Sequence, residues 1–483
     1  METALRVTAS PSLPNYPVTL APPRPMKFTI VRSRFGQALK DTARFVPQKP
    51  THPLLGCILL EADADTQRLT LTAFDLSQGL QYRTEAQVPA GGGGRLALPG
   101  KLLDELVARL PDGDVVLEAL QSDNSDDTTP RAVTLTYSGG RCQLQTLDPE
   151  EYPQLPRVAG TSVVLNPDVL REGIAQTAWS ASTDETRQVL CGIHIVLSGN
   201  QLELASLDGS RLSVFSSSVP DRENAETFEV TIPVSALREV QRLLDGSNGF
   251  SSPNIETAEP QTSQPVTLSY EPGQLSVELT QMTLASRALE GAFPDYHSLL
   301  PDRFQRQLIA AKKPLLNALE RLALFVGKDS YIQWSVEGNS QTLTLSTCQG
   351  AGEVVESLPV RFEGEDFRTG FNLYYLRQAL KILARDEALF QFNRALQPVL
   401  LTPPQQSSNA KFLLVPMGTG EEESEPAAPE STQTPSPPEP SPSPTASRKK
   451  SARDRAPQKT RKKGQEASVN AKPEAEELAV VPT

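Results

Sequence analysis

Histidine and cysteine are scarce in this chain, with three of the first and four of the second among 483 residues. Cys57, Cys142, Cys191 and Cys348 lie far apart, with no C-x-x-C pair and no framework spacing, so they read as reduced, mostly buried thiols. His52, His194 and His297 have no ligand partner at helical spacing, which leaves no expected metal site and no imidazole acid–base pair; strand or loop packing accounts for them. The nucleophile elbow G-x-S-x-G and the phosphate loop G-x-x-x-x-G-K-[ST] are both missing. Pro99–Lys101 is a near miss that reads as a helix-entry turn, and Gly91–Gly94 reads as a loop. No catalytic residue, cofactor or metal is therefore expected. No apolar stretch approaches the roughly 18 residues of a membrane span, and the N-terminus lacks the basic start and apolar run of a signal peptide. The chain is expected in the cytoplasm, with no membrane partner. A net charge of −12 excludes a generally basic nucleic-acid coat.

What the chain does have is repetition. A helix phrase occurs three times: RFGQALKDTARFV from Arg34, VLREGIAQTAWSA from Val169 and PLLNALERLALFV from Pro314. Aligning Phe35, Leu170 and Leu315 brings Leu39, Ile174 and Leu319 together four positions on, and Ala43, Ala178 and Ala323 eight positions on. This is one apolar helix face written three times. An alternating strand phrase follows each helix: LTLTAFD from Leu69, LELASLD from Leu202 and LTLSTCQ from Leu343. A second helix comes next, with Leu103, Leu237 and Leu376 in one phase. VTLTYSGG from Val133 and VTLSYEPG from Val266 read as one further repeated strand. A period near 140 residues is too long for a solenoid unit of roughly 20–50 residues and is the size of a domain. The expectation is an α+β protein of three copies of one domain, each with two helices and many strands.

Composition places the boundaries. Residues 1–25 are Pro-rich and aperiodic, either a leader or sequence upstream of a start at Met26. The three domains are expected at 26–156, 157–303 and 304–418. The tail 419–483 is Pro/Ser-rich and runs acidic, basic, acidic. Its middle, Arg448–Lys463, holds nine Lys or Arg against one Asp, so the tail buries no core.

In order, the phrases MKFTI, PTHPLLGCILLEA, LTAFDLS, SLDGSRLSV, FPDYHSLLP, GFNLYYL and LLVPM resemble the bacterial DNA polymerase III beta subunit, the replication sliding clamp, over about 26–418. The resemblance implies three clamp domains with two helices inside and antiparallel sheets outside. Two chains, head to tail, would close a ring around duplex DNA. It implies sequence-independent, topological DNA binding, with the DNA polymerase III alpha subunit, the clamp loader and other polymerases and repair proteins captured through a short motif with apolar ends. Carried over position by position, the peptide pocket comprises Leu190, Leu207, Gly209, Arg211 and Leu212, then Pro294 and Leu299, then Tyr375, Leu413, Val415, Pro416 and Met417. DNA-facing candidates on or beside the repeated helices are Arg34, Lys40, Lys101, Arg238, Lys312, Arg321, Arg377 and Lys381, with Lys49 at a basic position the family uses on DNA. Ser210 and Ser298 stand where the family often has histidine and a basic residue, and a tail continues where the family's chain stops. These departures motivate the alternative, a clamp-fold paralogue acting only as a peptide-binding scaffold.

Overall fold

The computed structural model describes residues 26–120, 132–220, 227–247, 264–327, 331–349, 352–404 and 409–417. The expected leader and tail lie outside the described residues.

The same series of elements is laid down three times. The first unit comprises β1 (Lys27–Val31), α1 (Arg32–Thr42), β2 (Cys57–Asp63), β3 (Arg68–Phe74), β4 (Gln78–Glu85), β5 (Gly94–Pro99), α2 (Gly100–Ala108), β6 (Asp114–Leu120), β7 (Ala132–Tyr137) and β8 (Gly140–Gln145). The second has β9 (Thr161–Leu165), α3 (Pro167–Thr177), β10 (Gly192–Ser198), β11 (Gln201–Leu207), β12 (Arg211–Ser218), β13 (Phe228–Pro233), α4 (Val234–Ser247), β14 (Val266–Glu271), β15 (Gln274–Glu278) and β16 (Met282–Arg287). The third has β17 (Arg306–Ala311), α5 (Lys312–Leu322), β18 (Tyr331–Glu337), β19 (Thr342–Gln349), β20 (Gly352–Pro359), a short extra β21 (Arg361–Glu363), β22 (Phe367–Asn372), α6 (Leu373–Ile382), β23 (Glu387–Phe392), β24 (Val399–Thr402) and β25 (Ala410–Leu414).

The repeated apolar face is what packs. Phe35, Leu170 and Leu315 are all buried, as are Leu39, Ile174 and Leu319 one turn on. The helices pair as α1 with α2, α3 with α4 and α5 with α6, and each pair lies on strands of its own unit. Asn166 and Asn372 cap α3 and α6: the Asn372 Oδ1 accepts from the Tyr374 and Tyr375 backbone N–H groups at 2.9 and 3.1 Å. Gly173 is required where α3 crosses β12, because a Cβ there would stand 2.9 Å from Phe215. The helices and inner sheet faces share one continuous core.

Two sheets cross from unit to unit. The eight-stranded sheet runs β5-β2-β3-β4-β16-β15-β14-β9, and the nine-stranded sheet runs β13-β10-β11-β12-β25-β24-β23-β17-β21. In both, the fourth strand of one unit's first half-sheet pairs antiparallel with the last strand of the next unit: β4 with β16, and β12 with β25. The two remaining sheets, β1-β6-β7-β8 and β20-β19-β18-β22, have only four strands each and end on β8 and β20.

One sequence expectation fails in register. VTLTY lies on β7, whereas VTLSY lies on β14, whose counterpart by position in its sheet is β6. Alternation followed by a glycine turn specifies a hairpin strand but not which hairpin.

Candidate functional site

The most distinctive apolar cluster outside the main core lies on the face of the nine-stranded sheet turned away from the helices, its leucines only 2–8 % accessible. Side chains alternate along a strand, so Ala205 and Leu207 of β11 share that face with Leu212 and Val214 of β12. The register aligns Leu207 with Leu212, Leu212 with Leu413, and Leu413 with Leu400, giving a row of four leucines across the seam between the second and third units. At the inter-strand spacing this row is about 14 Å long, roughly four residues of extended peptide. These leucines form a cluster of their own, with Leu190, Ala205, Val214 and Tyr296 and with Val189, Phe293, Leu300 and Phe304 at its margin. Exposed apolar residues lie in its flanking segments: Leu299 is 45 % accessible, and Val415 and Met417 are each 38 %.

The expected pocket residues divide into floor, rim and back. Leu190, Leu207, Leu212 and Leu413 are floor. Pro294 and Leu299 are exposed on the linker that crosses the sheet between the second and third units. At the end of the described chain, the Val415 N–H donates to Ser210 and the Met417 N–H to Gly370, at 2.9 and 2.8 Å, with Pro416 buried between them. Gly209 sits in the β11–β12 turn at φ +94°, a conformation glycine adopts freely. The Asp208 carboxylate closes that turn by accepting from the Ser210 and Arg211 N–H groups. Arg211 and Tyr375 stand behind the floor, on the helix side. The Arg211 guanidinium lies 4.2 Å from the Tyr375 ring centre and 5.1 Å from that of Trp179, donates to Asp208 at 2.8 Å and reaches Gln378 at 2.6 Å. It is a buried, fully engaged cation that ties β12 to α6.

Sequence reasoning missed Val189, Ala205, Val214, Phe293, Tyr296, Leu300, Phe304 and Leu400. Alternation along β11 and β12 carries a signal for Ala205 and Val214. Nothing local marks Leu400, because VLLT is apolar on both faces.

The linker is fastened beside the floor by Glu203, on the same strand face as Ala205 and Leu207. Its Oε2 accepts from the Ser216 hydroxyl at 2.8 Å. Its Oε1 accepts from the Tyr296 hydroxyl and lies 3.1 Å from His297 Nε2. Burial, together with the Glu203 carboxylate, pushes the Tyr296 phenol far above its ordinary range, so it remains a donor. Phe293 stacks on His194, with centroids 4.6 Å apart. Burial lowers the His194 pKa and favours the neutral ring, which bonds Thr231.

The expected DNA-facing cations are spread over the helices. Arg34 on α1 pairs with Glu85 at 2.6 Å, and Arg321 on α5 pairs with Glu356 through two bonds of 2.6 and 2.7 Å. Arg377 and Lys381 on α6 share Glu320, at 3.5 and 3.8 Å. Lys312 donates to the C-terminal carbonyls of α6, and Arg238 to Ala178 at the end of α3, where a helix terminus favours a cation. Lys101 reaches the Pro47 carbonyl at 3.1 Å, near Lys49; Lys40 and Lys49 are exposed. Paired guanidiniums make weaker phosphate ligands than these exposed lysines.

Comparison with known proteins gives one consistent result. Family models described as the DNA polymerase III beta subunit match in three parts: the N-terminal domain over 26–156, the central domain over 164–295 and the C-terminal domain over 297–418. The chain is 37 % identical over 391 residues to a beta sliding clamp of Synechocystis sp., covering 78 % of this chain and 96 % of that one. It is 35 % identical over 384 residues to a beta sliding clamp of Synechococcus elongatus, with the same coverage. Among solved structures it resembles the DNA polymerase sliding clamp of Caulobacter crescentus (TM-score 0.70, 27 % identity, 81 % of this chain and 100 % of that one). It also resembles that of Bacillus subtilis (TM-score 0.73, 24 % identity, 82 % and 100 %), which bears on the fold.

Proposed function

The chain belongs to the bacterial DNA polymerase III beta subunit family and functions as a DNA sliding clamp without catalysis of its own, and from that premise we propose how its sheet edges, helices and groove do the work. The observation that carries the proposal is that, among the described residues, β8 and β20 end their sheets where their counterparts in the other units pair onward. Strand β20 of the third unit is the counterpart of β4 and β12, which both pair with the next unit's last strand. Strand β8 of the first unit is the counterpart of those last strands, β16 and β25. A second copy supplies each free edge with the partner it lacks, so β20 of one protomer pairs with β8 of the other, and the reverse pairing closes a head-to-tail ring. The boundaries 26–156, 157–303 and 304–418 then delimit six ring segments.

Closure converts binding into topology. An enclosed duplex cannot dissociate sideways, and phosphate contacts that read no base leave it free to slide. The chain's net negative charge keeps non-specific contacts with the DNA backbone weak, and exposed lysines such as Lys40 and Lys49 give a shallow hold on phosphate. Many of the candidate guanidiniums are already paired with acids, which keeps that hold weak, as sliding requires. Exposed Leu299, Val415 and Met417, set beside the largely buried four-leucine row that forms the groove's floor, suit the apolar end of a short extended segment of a polymerase, the clamp loader or a repair protein. Among the described residues no helix is long and apolar enough to cross a membrane.

The test is retention on DNA. After loading onto nicked circular DNA, the protein is expected to survive high salt and to run off once the circle is cut. Loss from both forms at high salt, with a competent loader present, would favour a scaffold that no longer encircles DNA.

A further inference from the structure

Floor and wall of the groove come from parts of the chain far apart in sequence, and one carboxylate joins them. We propose that Glu203 is a positioning residue of the groove: it holds the linker across the sheet so that Pro294 and Leu299 stand as the wall against which a partner peptide packs. The inference rests on the groove reading above. Glu203 lies one pleat beyond Ala205 and two beyond Leu207, so it is part of the floor strand. Its Oε1 meets Tyr296 and His297, the residues at the start of the short 3-10 turn His297–Leu299. That turn is closed by the Leu299 N–H on the Tyr296 carbonyl at 3.2 Å and the Leu300 N–H on the His297 carbonyl at 3.1 Å. Leu299 therefore projects from a turn whose first two side chains are fixed to Glu203. Ser298 does not share the task, because its hydroxyl donates to the Asp295 carbonyl within the linker. The remaining hold on the sheet is apolar and less directional: Phe293 stacked on His194, with Tyr296, Leu300 and Phe304 against the cluster. Glu203 also accepts from Ser216 on β12, so the carboxylate is fixed from the floor side as well. Position and rotamer of the wall thus depend on one charge-assisted network.

The experiment uses the full-length dimer and a fluorescein-labelled ten-residue peptide carrying a leucine and a phenylalanine near one end. Glu203→Ala is expected to weaken the peptide about tenfold, the scale of one hydrogen bond to a charged group. Glu203→Gln keeps an acceptor oxygen for Tyr296 and is expected to stay within about threefold of wild type. Tyr296→Phe removes the same bond without opening a cavity and is expected to weaken binding about fivefold. Because Glu203 acts through Leu299, the Glu203→Ala and Leu299→Ala effects are expected to be non-additive. Additive effects, or a Glu203→Ala variant and a Tyr296→Phe variant that both bind as wild type, would overturn the proposal. The Leu212→Ala/Met417→Ala variant separates the two ideas: if it too binds as wild type, the groove reading falls.

Discussion

Leu324 is 80 % exposed in the single chain, an unusual position for a leucine next to a repeated core helix. Its counterparts explain why. Nine residues on from Phe35 and from Leu170 stand Arg44 and Trp179. Arg44 crosses to the second unit and grips Glu239 through bonds that include one of 2.7 Å. The Trp179 ring packs edge-on against Phe412 of the third unit, 5.7 Å between centroids. Position for position, Leu324 therefore belongs to the contact with the next unit, which in the proposed ring is the first unit of the second protomer. Substituting Leu324→Ala removes about three buried carbons per interface, worth about 2 kcal/mol. A two-fold ring contains that interface twice, so the dimer loses about 4 kcal/mol and its dissociation constant rises about a thousandfold. Mass photometry across a dilution series reads this directly. Leu396→Ala is the control, since Leu396 is 61 % exposed between β23 and β24, in a different sheet from either free edge. A dissociation constant unchanged within threefold in Leu324→Ala would refute the counterpart argument.

Four further outcomes are expected. Replacing Leu212 and Met417 together with alanine removes floor and rim, and is expected to lower partner-peptide affinity more than about thirtyfold, by titration, while the dimer persists. The Glu239 carboxyl is pushed up by burial, but hydrogen bonds from Arg44 and Arg242 outweigh this and hold it below its ordinary value. A lowered folded pKa gives stability that is present above the unfolded value near 4.5 and is lost as pH falls through the folded value. Glu239→Gln is therefore expected to lower the melting temperature at pH 7, by a deficit that shrinks as the pH is taken below 4.5, by calorimetry. Replacing Lys40 and Lys49 with glutamine is expected to reduce the salt slope of non-specific duplex binding by about two if both meet phosphate. Truncation after Met417 is expected to leave the melting temperature and the dimeric state unchanged, because β25 and the Met417–Gly370 bond complete the third unit.

The three-fold helix face was legible because burial and periodicity coincide. Phe35, Leu170 and Leu315 occupy equivalent, fully packed positions, and the sequence repeats what packing demands. Strand identity was less legible. VTLTY and VTLSY carry the same alternation and turn signal yet occupy different places in their sheets, because pairing partners are set by tertiary contacts that a local phrase does not encode. The groove shows the same limit. Leu212 and Leu413 were reached through resemblance, but Leu400 becomes a neighbour of Leu413 only once β24 and β25 are in register. Arg211 and Leu212 adjoin in sequence yet face opposite sides of β12, one engaged with aromatic rings and the other lining the floor. Glu203 was invisible in sequence because its partners lie near residue 297.

The two seams within the chain share a topology, the proposed seam between protomers would repeat it, and the three differ in chemistry in ways that follow from what each must do. The first seam is ionic: Asp41 with Arg242 at 2.7 Å, and Arg44 with Glu239. The second is built from aromatic and amide groups: Trp179 on Phe412, Arg211 over Tyr375, and Gln176 on the Ile382 carbonyl. Both lie within one chain, so covalent continuity maintains a high local concentration of the two sides. The third seam has no such tether. It must form between separate molecules and open when DNA is admitted. At that seam the counterpart positions are Arg321, already paired with Glu356 on β20, and the bare Leu324. An apolar contact beside a cation satisfied within its own protomer leaves no buried charge stranded when the ring opens, whereas parting Asp41 from Arg242 would. At the closable junction of the ring the helix-end cation is thus already paired when the junction stands open, and the strand-edge groups that part there turn to water.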